Sequence, residues 1–358
     1  MRAPGEPSDR DLALHLAGGT VAEARRLGRL VGRGVDWLEL PVARWRDAGW
    51  PRRWVKRLRP WRNREALAHE RASARARGIE LVGLRGRAYP ACLRELPDAP
   101  LALCVRGRWP PPERAVAIVG ARAATLTGRR AAGHLGEVAA ETGVAVVSGL
   151  ARGVDSCALQ AALDAGGWAV GVLGCGIDVI YPPENGELQE AIAQRGTLLS
   201  EFPLGTRPDR WTFPRRNRLI AALAQQTLVV EAGKRSGALI TAGYALELGR
   251  EVWAVPGAVD SPQSRGSNQL LFDGAQPVVD PGALPELLGH GAPAERQASA
   301  VVAGEQDPVL SALGGRALTA DELAELTAHS VREVRSRLIG LELQGRVIRT
   351  AGGRYITA

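Results

Sequence analysis

Residues 115–155 read AVAIVGARAATLTGRRAAGHLGEVAAETGVAVVSGLARGVD and predict a β-α-β unit on which the rest of the fold is built. Ala115–Val119 is an unbroken apolar run that Gly120 ends, which is typical of a strand buried on both faces. A helical stripe follows and stops at Gly143, and Val144–Val147 predicts a second buried strand that also ends in a glycine-rich turn. Two parallel strands that end side by side in such turns bring backbone N–H groups and helix N-termini to one crevice, where phosphate is favoured.

Beyond this unit, short apolar runs alternate with helical patterns near residues 184–194, 215–224 and 238–248. This alternation indicates an α/β fold with a doubly wound parallel sheet and right-handed crossovers. Residues 89–107 are expected to lead through a proline-rich turn into the β-α-β unit. Further strands are predicted at Ile79–Leu84, Ala169–Leu173, Leu198–Glu201, Thr227–Val230 and Val252–Val255.

Charge and composition narrow the classes of function. The 358-residue chain is 45% hydrophobic, has a formal net charge of +8 and a pI near 10.0, and contains only two lysines, Lys56 and Lys234. A basic protein attracts polyanions, so the charge favours nucleic acid as a partner. No apolar run approaches about 20 residues and the N-terminus lacks the apolar stretch of a signal peptide, which predicts a cytoplasmic protein without membrane contact.

The cysteines and histidines show no pattern of ligand spacing. The five histidines are scattered along the chain. The cysteines lack C-x-x-C spacing and lie in apolar surroundings, which favours buried thiols over disulfides or metal ligands. We therefore predict neither a metal nor a cofactor. The four cysteines are Cys92, Cys104, Cys157 and Cys175.

Residues 1–65 predict a small all-α domain in which short apolar stripes are broken by Gly18-Gly19 and by Gly32. Five tryptophans between residues 37 and 61 are interleaved with arginines. In such a pattern the tryptophan rings could stack on the bases of single-stranded nucleic acid, and the arginines could neutralise its phosphates. In a small helical domain we favour the alternative, in which most of the rings form the core and the arginines form a solvated surface.

Residues 286–307 are rich in Ala, Gly and Pro and predict a linker to a C-terminal domain at 308–358. Two helices of this domain begin at capping boxes, Thr319 with Glu322 and Ser330 with Glu333. A β-hairpin through Gly352-Gly353 follows, and the combination describes a winged helix. The second helix carries basic residues that suit either a duplex major groove or a protein contact, namely Arg332, Arg335 and Arg337.

Four loops at the predicted sheet edge carry anion-binding groups. Glycine lets the backbone approach a phosphate, arginine grips it bidentately and lysine acts as a point charge. The third loop is expected to start a helix at Pro214 and to place three arginines in its first turn, where the macrodipole repels cations unless an anion compensates. The candidate residues are Gly120 and Arg122; Ser148, Gly149 and Arg152; Arg215, Asn217 and Arg218; and Lys234, Ser236 and Gly237.

No catalytic constellation accompanies these loops. Ser148 has no histidine at a plausible place, and Glu201 and Glu231 have no evident acid–base partner. The patterns G-x-x-x-x-G-K-[ST] and G-x-G-x-x-G are absent from the sequence. The site is therefore predicted to hold a phosphodiester backbone without breaking it.

In the four loops and the segments around them, the sequence resembles the DNA-processing protein A family, also called DprA or Smf. The resemblance covers about residues 80–280 through VSGLARGVD, GVLGCGIDVIYPPEN, WTFPRRNRLIAALA and VVEAGKRSGALITAGYALELGREVWAVPG. It implies an extended Rossmann-like core at 66–285, an N-terminal helical domain that resembles a sterile-alpha-motif fold, and a C-terminal winged helix. It also implies a non-enzymatic homodimer that binds single-stranded DNA, protects incoming DNA in natural transformation and helps load the RecA recombinase.

The resemblance implies that five of the candidate residues contact DNA and that the other six shape the pocket. Ala121 stands where family members usually have Ser, and Leu159 stands where they usually have His. Neither departure removes a positive charge, so DNA binding is expected to persist. The five contact residues are Arg122, Arg152, Arg215, Arg218 and Lys234.

A rival interpretation is enzymatic. The lysine decarboxylase-like phosphoribohydrolases are similar Rossmann proteins that bind a nucleotide phosphate at this edge with a PGGxGTxxE loop. In this chain residues 231–241 read EAGKRSGALIT and lack both the Pro-Gly-Gly and the Glu. Release of adenine from AMP would distinguish such a hydrolase from a DNA-binding protein, and a purely protein-binding adaptor is a third interpretation.

Overall fold

The β-α-β unit forms the centre of a large sheet in a computed structural model of the chain. The structure describes residues 5–32, 35–284, 307–313, 316–343, 346–350 and 354–357. It divides the chain into two units, Met1–Pro293 and Ala294–Ala358. Apart from Asp307, the predicted linker at 286–307 lies outside the described residues.

The large sheet has nine strands among the described residues. They are β1 (Glu80–Gly83), β2 (Ala102–Gly107), β3 (Ala115–Val119), β4 (Ala145–Ser148), β5 (Ala169–Leu173), β6 (Thr197–Ser200), β7 (Gln226–Val229), β8 (Glu251–Ala254) and β9 (Gln276–Pro277). Their order is β1-β2-β6-β5-β4-β3-β7-β8-β9. Strands β3 to β9 are mutually parallel. At one edge β2 pairs antiparallel with β6, and β1 pairs antiparallel with β2.

The strand order reverses at β3, which pairs with β4 on one side and with β7 on the other. In a doubly wound sheet the connections leave such a switch point in opposite directions, and a crevice opens beyond the carboxyl ends of the strands. The glycine-rich turn after β3 therefore lies at the place where this fold binds ligands.

Helices cover both faces of the sheet. Strand β3 shows how the core is divided, since Val116 and Ile118 join one apolar cluster while Ala115, Ala117 and Val119 join the other. No helix in the described ranges is long and apolar enough to cross a bilayer. The helices of the first unit are α1 (Asp9–Leu16), α2 (Val21–Val31), α3 (Val42–Asp47), α4 (Arg52–Leu58), α5 (Arg64–Ala76), α6 (Ala91–Arg94), α7 (Leu126–Glu141), α8 (Val154–Asp164), α9 (Gly186–Arg195), α10 (Thr212–Leu223), α11 (Gly237–Glu247) and α12 (Arg265–Phe272).

The predicted strands are confirmed to within one residue at each end. Residues 89–107, for which neither a helix nor a strand was predicted, contain α6 and β2. Strand β2 is held by its antiparallel pairing with β6, a partner far along the chain. Helix α10 begins at Thr212, two residues before the predicted start at Pro214.

The N-terminal helices α1 to α5 are built around tryptophan. Trp37, Trp45 and Trp50 are buried, and their ring centroids lie 4.9–5.7 Å apart. The interpretation of these rings as core residues is thus confirmed. The helices share one apolar cluster with a face of the sheet and belong to the same unit, so the predicted boundary at residue 65 does not separate two compact units.

The second unit contains α13 (Pro308–Leu313), α14 (Ala320–Thr327), α15 (Val331–Leu343) and the antiparallel strands β10 (Val347–Arg349) and β11 (Tyr355–Thr357). Both capping boxes form, with the Glu322 carboxylate accepting from the Thr319 N–H at 2.7 Å and the Glu333 carboxylate accepting from the Ser330 N–H at 2.9 Å. Val334, Leu338 and Leu341 are buried against α13 and α14. The predicted winged helix is confirmed, and its hairpin tip at residues 351–353 lies outside the described residues.

The close packing of α7 on α8 depends on Gly136. A Cβ at this position would lie 2.4 Å from the Ala158 carbonyl oxygen, whereas a Cβ at Gly133 would lie 3.9 Å from the Ala161 Cβ. We expect Gly136→Ala to lower the free energy of unfolding by about 1–3 kcal/mol through overpacking. Gly133→Ala, the matched control, should raise it by about 0.5–1 kcal/mol because alanine favours helix. Urea unfolding followed by circular dichroism measures both, and equal effects would contradict this packing.

Candidate nucleic-acid interface

A cleft of about 950 Å³ opens at the switch point between β3 and β7. Its walls come from the loops after β3, β4 and β7, from the first half of α10 and from the residues around the start of α12. All four loops predicted to bind an anion contribute at least one residue to these walls. The sheet therefore gathers at one edge segments that lie far apart in the chain.

Positive charge dominates the cleft. Six cationic side chains line it, and Asp155 is the one carboxylate among the described lining residues. Most of these cations are exposed and accessible to a ligand, but Arg216 is buried. Such a surface attracts a polyanion. The six cations are Arg122, Arg210, Arg216, Lys234, Arg235 and Arg265.

Arg122 lies beside aromatic rings. Its guanidinium carbon is 5.1 Å from the centroid of the Phe213 ring, and the Tyr181 ring packs on Phe213 at 5.4 Å between centroids. Arg122 forms no ion pair with any described residue, so its donors can reach a ligand. A guanidinium next to aromatic rings offers a phosphate and a base adjacent binding surfaces.

Arg216 is the fixed cation at the base of the cleft. Its side chain donates at 2.7 Å to the carbonyl of Gly149 and also donates to the carbonyl of Val172. Burial lowers the pKa of Arg216 to about 10, while Asp155 acts in the opposite direction. The guanidinium therefore stays charged at neutral pH and adds to the positive potential of the cleft.

Asp155 organises the loop after β4. Its carboxylate accepts from the backbone N–H of Gly149 at 3.1 Å and of Ala151 at 3.4 Å. Burial raises the pKa of Asp155, and the charge of Arg216 opposes the rise. Ser148 does not line the cleft, because its buried hydroxyl donates to the Ile118 carbonyl at 2.6 Å. Ser148 and Gly149 thus hold the shape of the loop.

The N-terminus of α11 forms the opposite wall. Ser236 caps the helix by accepting from the Ala238 N–H at 3.3 Å, and Lys234 is exposed beside it. The Gly237 carbonyl accepts from the Asn217 amide at 3.1 Å, and the amide oxygen of Asn217 accepts from Arg216 at 3.2 Å. Asn217 therefore joins α10 to α11, and the helix end presents Lys234 together with the positive end of its dipole.

Two of the predicted residues lie at the cleft but have local roles. A Cβ at Gly120 would lie 2.6 Å from Val154 and 2.9 Å from the Glu231 carbonyl oxygen, so glycine is required for packing there. Arg152 is exposed in a smaller pocket beside the cleft and forms an ion pair with Glu184, which raises the pKa of Arg152. Part of the Arg152 charge is thus neutralised within the protein.

The structure corrects the expectation that Arg215 and Arg218 face the crevice. Neither residue lines the cleft, and both bind Glu201, with Oε2 of Glu201 lying 3.2 Å from Arg215 and 2.7 Å from Arg218. Arg218 also pairs with Asp98 at 2.8 Å. The anion that compensates these arginines is therefore internal. Burial raises the pKa of Glu201, and the two arginines oppose this rise.

Glu231 is also committed to the fold. Its carboxylate accepts from the Thr125 N–H at 2.9 Å and from the Thr125 hydroxyl at 2.6 Å, and Thr125 in turn caps α7. Glu201 and Glu231 are thus both held in structural contacts. No group of three His, Cys, Asp or Glu side chains in the described part of the chain is placed to hold a metal ion.

The candidate residues omit four cations of the cleft: Arg210, Arg216, Arg235 and Arg265. Arg216 and Arg235 lie inside the predicted loops, directly beside candidate residues, whereas Arg210 precedes the third loop. Arg265 belongs to no predicted loop and reaches the cleft only because α12 follows β8. Leu159, at the position where the family usually has His, is fully buried in an apolar cluster.

The cysteines are free thiols, as predicted. Cys104 and Cys175 are buried, and Cys92 and Cys157 are partly buried. Burial raises the pKa of Cys104 to about 12. These thiols are therefore protonated at neutral pH and lie outside the cleft walls.

Comparison with protein-family models matches residues 80–288 to DNA recombination-mediator protein A and residues 292–353 to the DprA winged helix domain. Protein Smf of Synechocystis sp. is 35% identical to this chain over 308 residues, which are 75% of this chain and 77% of that protein. Protein Smf of Escherichia coli is 38% identical over 276 residues, 74% of each chain. The two matched regions together include all the elements that form the cleft.

Solved structures show the same fold. DNA processing protein A from Streptococcus pneumoniae has a TM-score of 0.65 and 30% identity, over 78% of this chain and 98% of that chain. A structure described as showing the single-stranded DNA binding mode of DNA processing protein A from Helicobacter pylori has a TM-score of 0.53 and 29% identity, over 59% of this chain and 95% of that chain.

Arg218→Met tests the internal ion-pair network. At about pH 7 we expect the free energy of unfolding to fall by about 3–5 kcal/mol, because the buried Glu201 loses the closer and more buried of its two arginine partners. Burial already raises the pKa of Glu201, and losing Arg218 raises it further, so the group protonates more readily in the folded variant. A group with a raised pKa in the folded state contributes stability at low pH and loses it as the pH rises. The deficit should therefore shrink on acidification, as urea unfolding at several pH values would show.

The double variant Arg218→Met, Glu201→Gln is the control. It removes both buried charges, and we expect it to recover most of the lost stability. A loss that does not depend on pH, or a double variant as unstable as the single one, would contradict the internal role of Arg218.

Proposed function

This chain belongs to the DNA recombination-mediator protein A family, a family of DNA-processing proteins also named DprA and Smf, and from this premise we propose that its cleft binds single-stranded DNA. We further propose that it acts in the cytoplasm, protects incoming DNA in natural transformation and helps load RecA recombinase. Membership of the family supports these roles, and the cleft provides the side chains that would contact the DNA.

One observation carries the proposal: six cations and an aromatic pair meet in one cleft at the switch point of the sheet. Exposed arginine and lysine side chains bind phosphates whatever the base sequence, and aromatic faces stack on any base. Asp155, the single carboxylate among the described lining residues, is held by backbone N–H groups and interacts electrostatically with Arg216. This combination suits a flexible single strand.

We propose a binding role without catalysis. The two glutamates closest to the predicted loops, Glu201 and Glu231, hold arginines and a helix cap. A general acid or base must be within reach of the proton that it transfers, and neither carboxylate lines the cleft. The loop at residues 231–241 also lacks the phosphoribohydrolase pattern. These features support DNA binding over hydrolysis of a nucleotide.

For the second unit we propose contact with double-stranded DNA. Arg332 and Arg335 are exposed on α15, the helix that a winged helix places in the major groove. Arg337 on the same helix pairs with Asp307 at 3.8 Å, so part of its charge is neutralised.

We also propose a homodimer in which a second copy covers the edge of the sheet at β9. Leu246 on α11 and Phe272 at the end of α12 are 60% and 87% exposed at this edge. Leu246 lines a depression of about 230 Å³ together with Val252 and Leu270, among others, and Phe272 adjoins its lining residue Asp273 in the chain. A two-fold axis would cover this apolar surface with the same surface of the partner.

Arg122→Ala tests the DNA-binding cleft. We expect its affinity for a single-stranded oligonucleotide to fall about ten- to a hundredfold for all sequences, because one charge-assisted contact is lost. The slope of log affinity against log salt should become shallower by about 0.7. Fluorescence anisotropy over a range of salt concentrations measures both quantities.

Two variants serve as controls for Arg122→Ala. Arg130→Ala removes the same charge from an exposed position on α7 that does not line the cleft, and Arg215→Ala removes an arginine held by Glu201. Both should bind DNA nearly as well as the wild type. If all three variants lose affinity equally, binding depends on net charge and the cleft is misassigned.

Phe272→Asp tests the dimer. A buried, unpaired carboxylate at the interface is costly, so we expect sedimentation at micromolar concentration to change from dimer to monomer. Ile180→Asp, at a 57% exposed position away from this edge, should leave the dimer intact. A dimer that persists in Phe272→Asp would place the interface elsewhere.

A further inference from the structure

Trp211 differs from every other tryptophan of the chain. All nine tryptophans are among the described residues, and Trp211 is the only one that is exposed, at 54%. Its ring is held in an edge-to-face contact with Phe202, 5.8 Å between centroids. A large aromatic ring that is fixed on one side and open to solvent on another is suited to stack on a planar ligand.

Trp211 lies between the cleft and the N-terminal helices. Arg210 and Phe213, on either side of it in sequence, line the cleft. Phe202, which contacts Trp211, also lies 5.7 Å from the guanidinium carbon of Arg215. Pro203 and Leu204, which directly follow Phe202, line a small cavity together with Leu12, His15 and Leu16 of α1. A ligand that leaves the cleft across Trp211 therefore approaches α1.

A second basic groove begins on these helices. It has a volume of about 780 Å³, with Leu14, Leu84 and Leu101 among its apolar lining residues. Its described lining contains four arginines and one carboxylate, Asp11. Arg10 is held by Asp36 at 4.0 Å, and the other three arginines are exposed. The four arginines are Arg10, Arg25, Arg29 and Arg85.

The basic groove and the cleft share one edge of the sheet. Leu84 follows β1 and Leu101 precedes β2, where Gly83 pairs with Ala102. Since β2 is antiparallel to β6, this end of β2 lies beside the carboxyl end of β6. Four strand spacings, about 19 Å, separate β2 from β3 in the sheet order. A single strand of moderate length can span this distance, because single-strand sites cover about 4–16 nucleotides per domain.

We propose that single-stranded DNA extends from the cleft across Trp211, which stacks on a base, into the basic groove, where Arg25, Arg29 and Arg85 contact its phosphates. This extension rests on the proposed function of the cleft. The N-terminal helices then lengthen the DNA-binding surface of the core instead of serving only as a separate module. An acidic polypeptide would match the charge of the groove but would give no role to the exposed ring of Trp211.

The test compares two lengths of oligothymidylate on the full chain. A strand of about 5 nucleotides fills only the cleft, and a strand of about 20 nucleotides can also reach the basic groove. We expect Trp211→Ala to leave the short-strand affinity unchanged and to weaken the long-strand affinity about five- to 150-fold. Trp211→Phe keeps an aromatic face and should restore most of the affinity. Replacing the central bases of the long strand by abasic sites should remove the effect of Trp211→Ala.

Arg29→Ala and Arg26→Ala form a matched pair for the groove. Both arginines are exposed on α2, but only Arg29 lines the groove. With the long strand, Arg29→Ala should make the salt slope shallower by about 0.7, whereas Arg26→Ala should not. With the short strand, neither variant should change the slope.

The outcomes separate this extension from the proposed function itself. If Trp211→Ala weakens both strand lengths equally or neither, or if Arg29→Ala and Arg26→Ala behave alike on the long strand, the extension is overturned, and a polypeptide becomes the better occupant of the groove. If the short strand binds with an affinity that Arg122→Ala does not change, the proposed function of the cleft fails instead. All five variants change exposed side chains, and thermal melting confirms that each is folded.

Discussion

The buried guanidinium of Arg216 is the contact on which the cleft depends. It donates to the carbonyl of Gly149 after β4 and to that of Val172 in β5, so one side chain ties together two strand ends. Burying a cation is costly unless its donors are satisfied, and these carbonyls together with Asp155 offset that cost. The position of the guanidinium also requires glycine at residue 149, since a Cβ there would lie 2.5 Å from it.

The segment FPRRNR divides its arginines by helical geometry. Residues three apart on a helix share a face, so Arg215 and Arg218 both meet Glu201 while Arg216 points toward the cleft. Glu201 follows β6 and is fully buried, which makes the arginines on that face part of the fold. A cluster of like charges at the start of a helix thus serves two purposes, one internal and one at the ligand surface.

The cleft combines a fixed cation with adaptable ones. Arg216 is locked by carbonyls, whereas Arg122 and Lys234 are exposed and can follow a flexible phosphate backbone. Because Arg216 is already held in place, DNA binding costs less free energy for ordering the cleft. The exposed Arg122 and Lys234 can adjust their positions to different conformations of the bound strand. Together with the aromatic rings beside Arg122, these cations form a surface that can contact the DNA backbone and the faces of the bases. Such contacts do not depend on the base sequence.

The sequence by itself determined the parallel strands, the glycine-rich crevice at their carboxyl ends, the tryptophan core and the two capping boxes, because each depends on residues that are near one another in the chain. Only the tertiary structure decided which arginines face the cleft, because Arg215 and Arg218 pair with Glu201, which follows a different strand. It also decided that β2 is a strand and that Arg265 joins the cleft. Side-chain direction and long-range partners are set by packing, and local periodicity does not record them.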